Sequence, residues 1–169
     1  RVVYPMENCP DTVRVAAEEL QAAMQEVLGV DVAITDDKGT ANANDQFQPY
    51  EILIGETARS ATQKVLPELD GEEFVVRVDG HKIVIVGASN RATYAGVLYF
   101  VENVIRQGTV EEGKPVVKIA TDYAYEGKST SPKLPAVAGD TTLPVAPYRP
   151  AVLYTVHRPE KVADQITLA

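Results

Sequence analysis

Two short runs of β-branched residues, EEFVVRV and HKIVIVG, stand either side of Asp79-Gly80, and this arrangement constrains the chain more than any other. A tight Asp-Gly turn between such runs dictates an antiparallel hairpin, because glycine and aspartate accept the positive φ that such turns demand. The hairpin lies inside a longer block, residues 50–107. Here YEILIG reads as a buried strand and ETARSATQKVLPEL as a short helix that Pro67 stops. After the hairpin, ASNRATYAGVLYFVENVIRQ reads as a long helix over 91–107, closed by Gly108. Tyr94, Val97, Leu98, Val101, Val104 and Ile105 form its apolar stripe.

Upstream, Val2-Val3-Tyr4 followed by Pro5 suits a short strand at a sheet edge. Residues 11–28 form an amphipathic helix: Val13, Ala16, Ala17, Leu20, Met24, Val27 and Leu28 share one face. Asp11 is placed to cap its start and Gly29 to end it. Residues 32–35 read as a second strand, and 116–120 as a last one after the turn at 111–114. Strands and helices in this order predict an α+β fold, a mixed β-sheet with helices packed mainly on one face. Hydrophobic residues make up 45% of the chain, enough to build a core for one domain.

Beyond residue 125 the composition changes. Six of the eleven prolines fall between Pro132 and Pro159, so 126–169 reads as a Pro-rich extended arm or linker. A candidate strand within it spans 151–156. The expected division is thus an α+β unit at 1–125 and an arm at 126–169. The apolar ending VADQITLA reads as a chain cut at the threshold of another domain.

Charge narrows the partners. Residues 1–117 carry 19 acidic and 10 basic side chains, a field that repels phosphate backbones and anionic lipid, so nucleic acid and membrane surfaces are poor partners. No apolar run reaches the length of a membrane helix. The single cysteine, Cys9, makes no internal disulfide, zinc site or CxxC pair, and the two histidines, His81 and His157, are too few for a metal centre or a triad. Neither a metal nor another cofactor is expected. The loop at 36–49 contains Asp36, Asp37 and Asp45 without the order of a calcium-binding loop. Adjacent carboxylate pairs (Glu18-Glu19, Asp36-Asp37, Glu72-Glu73, Glu111-Glu112) read as solvated charges, not as the facing pair of a glycosidase.

Two strand–glycine–turn–helix junctions, Gly55-Glu56-Thr57 and Gly87-Ala88-Ser89-Asn90, are places where an anion could meet a helix N-terminus, although helix capping explains these residues more simply. Tyr123, Tyr125, Tyr148 and Tyr154 are the candidates for stacking on sugar rings. Anchoring of the arm to its own domain is the competing explanation.

The block Ile52-Leu53-Ile54-Gly55, the hairpin strand ending at Gly80, Ile83 to Gly87 and the helix opening Ala92-Thr93-Tyr94-Ala95 together resemble a small α+β domain of secreted glycoside hydrolases. That domain precedes the catalytic barrel in β-hexosaminidases and α-glucuronidases. The resemblance covers roughly residues 2–120. It implies a non-catalytic accessory domain of a secreted or cell-surface bacterial protein, with a neighbouring domain of the parent chain as its partner. It carries no catalytic residue to this chain. Two other functions stay open: a carbohydrate-binding module that presents exposed tyrosines to glycans, and a small self-contained hydrolase.

Overall fold

The computed structural model describes residues 1–5, 9–37, 50–130 and the backbone of 165–168. Its central sheet has six strands: β1 (Val2–Tyr4), β2 (Ile34–Asp36), β3 (Glu51–Ile54), β4 (Glu73–Asp79), β5 (Lys82–Gly87) and β8 (Ala124–Lys128). They lie in the order β2-β1-β3-β5-β4-β8. β1, β2, β3 and β5 are mutually parallel. β4 runs against both β5 and β8. A smaller sheet joins β6 (Thr109–Glu111), β7 (Lys114–Ala120) and β9 (Gln165–Leu168) in that order.

Two long helices, α1 (Asp11–Leu28) and α3 (Asn90–Asn103), cover one face of the central sheet. Among the described residues, a single short helix, α2 (Ser60–Val65), covers the other. The α+β architecture with helices mainly on one face is as the sequence predicts. Alternation along the strands divides the core: Ile52, Ile54, Phe74, Val76, Ile83 and Ile85 meet α1 and α3, whereas Val3, Leu53, Val75, Val84 and Val86 meet α2. The connection β1–α1–β2 steps one way along the sheet and the connection from β3 through α2 to β5 steps the other. Their helices therefore fall on opposite faces, as right-handed crossovers require.

Local chemistry explains the boundaries. α1 spans the predicted residues, but Asp11 is its first helical residue instead of its cap. Pro10 takes the capping place in extended conformation, and its carbonyl accepts from the Val13 and Arg14 N–H groups. Gly29, at φ 68°, ends the helix by donating to the Gln25 carbonyl. α2 is shorter than expected, starting at Ser60, and Pro67 sits within a 3-10 turn that follows it. α3 ends at Asn103, ahead of a separate 3-10 turn at Ile105–Gln107.

Three expectations require correction. β1 lies between β2 and β3, not at an edge, because Pro5 falls one residue past the strand and removes no ladder donor. The hairpin loop is Gly80-His81, one residue later than Asp79-Gly80. Asp79 pairs with Lys82, and only Gly80 has positive φ, the pattern of a type II′ turn. β7 is not the last strand: β8 carries the central sheet through Lys128, across the expected boundary at 125, and Gln165–Leu168 adds to β7. The candidate strand at 151–156 and most of the 36–49 loop lie outside the described residues.

Candidate functional site

The ionisable side chains are mostly ties between elements. On the face that α2 covers, register places Arg1, Glu51 and Lys82 side by side at the starts of β1, β3 and β5. Glu51 is fully buried. Its carboxylate accepts from Arg1 Nε at 3.0 Å, from Lys82 Nζ at 3.0 Å and from Arg59 Nε at 3.0 Å. Arg59, 2% exposed, precedes α2 and also donates to the Asp37 carbonyl. Burial alone would raise the Glu51 pKa. The hydrogen bonds from Arg59, Arg1 and Lys82 outweigh it and hold the group at about 2, a permanent anion at neutral pH. The Asp37 carboxylate accepts from the Ala58 N–H at 2.7 Å, so the acidic start of the 36–49 loop is pinned to the turn before α2.

A second tie surrounds Glu72. Ser89 and Ser129 donate to its carboxylate, and Arg91 forms two bonds to it, joining the approach to β4, the start of α3 and the end of β8. These partners, Ser129 and Arg91 foremost, hold its pKa below the usual carboxylate range. Its sequence neighbour Glu73 pairs with Lys128 across β4 and β8 at 2.8 Å. Glu18 and Glu111 pair with Arg14 and Lys118. Among the described residues, no group of three or more His, Cys, Asp and Glu side chains is arranged to hold a metal ion. None of their helices is long and apolar enough to cross a membrane. Burial pushes the Cys9 thiol up, which disfavours the reactive thiolate.

The tyrosine expectation meets a different arrangement. Tyr125 is 4% exposed and stacks on Tyr99 with ring centroids 3.7 Å apart and planes 9° apart. Tyr123 is half-buried, and its hydroxyl donates to the Tyr99 hydroxyl at 3.2 Å. Phe74 completes the cluster. β8 turns Tyr125 toward α3, so its buried ring closes the core at the sheet edge and is not presented to a sugar, whereas Tyr123 is only partly covered. Tyr148 and Tyr154 lie outside the described residues, as does His157. Among the described residues the tyrosine that does face solvent is Tyr50, 64% exposed at φ 64° and packed on the exposed His81 ring.

The two glycine junctions come together at the carboxyl ends of the parallel strands. Ser89 caps α3 by accepting from the Ala92 N–H at 3.1 Å, so the capping interpretation holds there. It does not hold at Thr57, whose hydroxyl meets that of Thr62 three residues before α2 begins. Between the junctions lies a cleft of about 260 Å³. Pro5, Pro10 and Val13 form one wall, at the end of β1 and the start of α1. Glu56, Asn90 and Thr93 complete the lining, after β3 and β5. Gly55, at φ 75°, passes so close to Val13 that an added Cβ would lie 3.0 Å from its methyl carbon. The cleft sits where connections leave β1 and β3 in opposite directions, the switch point at which open α/β sheets most often bind ligands. Sequence reading identified both junctions but had no signal for their convergence, which depends on β1, β3 and β5 being neighbours.

Comparison with known proteins supplies the context. No match was found among curated protein sequences. A solved structure of a family GH115 4-O-methyl-α-glucuronidase with specificity for decorated arabinogalactans is similar in fold, with a TM-score of 0.53 at 15% identity. The similarity covers 77% of this chain and 17% of that one, so the chain spans less than a fifth of the glucuronidase. The sequence profile of the glycosyl hydrolase family 67 N-terminus matches residues 1–101, from β1 through most of α3. The chain therefore belongs to the glycosyl hydrolase family 67 N-terminus family.

Proposed function

We propose that this chain is a non-catalytic accessory unit of a glycoside hydrolase, a rigid body that packs against a neighbouring domain of the parent protein and positions it. The observation that carries this reading is the family match over 1–101, the span that contains β1 to β5 and nearly all of α3. The chemistry of that span agrees with it. Among its described residues the most buried carboxylate, Glu51, is saturated by three cations, and Glu72 by two hydroxyls and a guanidinium. A general acid needs a pKa raised toward neutrality, and both of these groups are shifted the opposite way. The parent acts on polysaccharide outside the cell or at its surface, where such substrates are found.

Two measurements test this. The purified chain, offered aryl glycosides and aryl α-glucuronides, turns none of them over. Turnover that disappears on substitution of a residue in this chain would falsify the non-catalytic reading. Removing residues 1–130 from the longer protein lowers the melting temperature and soluble yield of what remains, at nearly constant kcat. If the melting temperature stays unchanged, the positioning role is wrong.

A further inference from the structure

We propose that the cleft between α1 and the β3 and β5 junctions is a subsite for one neutral sugar residue. The choice of sugar class rests on the glycoside hydrolase reading above. Volume sets the scale: about 260 Å³ lies just below the roughly 300–1,000 Å³ of pockets for drug-sized ligands, room for one ring and not for an oligosaccharide.

The lining sets the chemistry. Pro5, Pro10 and Val13 supply the apolar part of the lining, Pro10 half-buried and Pro5 and Val13 buried, and this part suits the C–H face of a pyranose. The polar part of the lining carries an acceptor-only carboxylate, Glu56, and an amide that both donates and accepts, Asn90. Both are exposed, and neither has a hydrogen-bond or ion-pair partner among the described residues. Glu51, Glu72, Glu73 and Asp37 are all engaged elsewhere in the molecule. Thr93 adds an independent indication. Its side chain is 98% removed from solvent (2% exposed), and its Oγ1 accepts from the Gly87 N–H at 3.0 Å. Its own O–H donates to no acceptor among the described residues, and it lines the cleft. A sugar hydroxyl, acceptor and donor at once, complements all three groups.

Glu56 also excludes the acidic alternative. A uronate or phosphate entering beside α3 would meet that carboxylate, and like charges at close range cost more than the start of the helix returns. The site therefore selects uncharged pentoses and hexoses, and the glucuronate is rejected.

Titration of the 15N-labelled chain with xylose, galactose and glucuronate tests this. The expected result is a saturable shift of the Gly55, Glu56, Asn90 and Thr93 amides with the two neutral sugars, at millimolar concentration, and none with glucuronate. Glu56→Gln weakens the neutral sugars roughly tenfold, the loss of one charge-assisted hydrogen bond. Asn90→Tyr, which fills the cleft, abolishes the shifts while the remaining spectrum stays native. Glu112→Gln, in the distant β6–β7 turn, changes nothing. Absence of any shift, equal shifts in the Asn90→Tyr protein, or glucuronate binding as tight as xylose would each overturn the subsite. A blank titration leaves the accessory reading standing, because that reading is judged by turnover and by removal of residues 1–130. Conversely, turnover by the chain would defeat that reading whatever the cleft binds.

Discussion

The two faces of the central sheet solve the same problem with different materials. Under α1 and α3 the interior is apolar, closed by Phe74, Phe100, Leu20 and the stacked Tyr99–Tyr125 pair. Under α2 a smaller apolar patch gives way at the amino ends of β1, β3 and β5 to a row of charge, with the buried Glu51 at its centre. A six-residue helix covers too little surface to hold itself by burial alone. Arg59, anchored to Glu51 and to the Asp37 carbonyl, ties the start of that helix back onto the sheet. Packing is specific through shape on one face and through hydrogen-bond geometry on the other.

That contrast is open to direct attack. The largest effects are expected from one truncation on each side, read by urea unfolding. Phe100→Ala costs about 3–5 kcal/mol in transfer and cavity terms. Glu51→Ala costs about as much, 3–5 kcal/mol, by leaving buried Arg59 without its counter-charge. The repair distinguishes the faces. Glu51→Leu combined with Arg59→Met recovers most of the loss, since an ion pair exchanged for apolar groups of similar volume is often neutral, while Lys82 and Arg1 retain access to water. If the double variant is as unstable as Glu51→Ala, the charges do more than hold α2.

Acid sharpens the comparison next. The folded pKa of Glu51 is depressed from 4.5 to about 2, so its contribution is complete above the unfolded value and is lost as pH falls through the folded one. A shift of that size corresponds to on the order of 3 kcal/mol, withdrawn between about pH 5 and 2. Unfolding free energies of the native protein and of Glu51→Gln should converge across that window. Parallel curves would remove Glu51 as the cause. A smaller loss, about 1 kcal/mol, follows Ser89→Ala, which deprives α3 of its cap and Glu72 of one donor. The smallest belongs to Arg106→Ala. Its pairs with Glu26 and Glu102 are solvent-exposed, and thermal unfolding should register no more than about 0.5 kcal/mol.

The apolar face was the more legible of the two from sequence. Helical spacing identified Val13, Ala16, Ala17, Leu20, Met24 and Leu28, all buried, because periodicity directly records which side of a helix meets a core. The charged face left no such record. Glu51 and Arg59 are eight residues apart across a turn, and nothing local shows that the side chain of one folds back along the sheet to the other. A weak signal existed in Glu51 and Lys82, charged residues that open strands otherwise buried throughout. Tyr125 admitted two explanations, stacking on a sugar and anchoring to its own domain, and composition could not decide between them because burial of the ring depends on β8 pairing with β4 before the prolines begin. The cleft required knowing that β1, β3 and β5 are neighbours, which is a property of topology and not of any segment.

The placement of β1 has a consequence in time. Val2 pairs with Ile34 on one side and with Ile52 on the other, so the strand nearest the beginning of the chain waits for partners 32 and 50 residues away. At about 5–20 residues per second of synthesis, its second neighbour emerges roughly 2–10 s later. Meanwhile Val2 and Val3, both fully buried in the finished protein, have nothing to pack against on that side. Production in a living cell should therefore depend on chaperone supply and growth temperature more steeply than the stability of the finished fold would suggest.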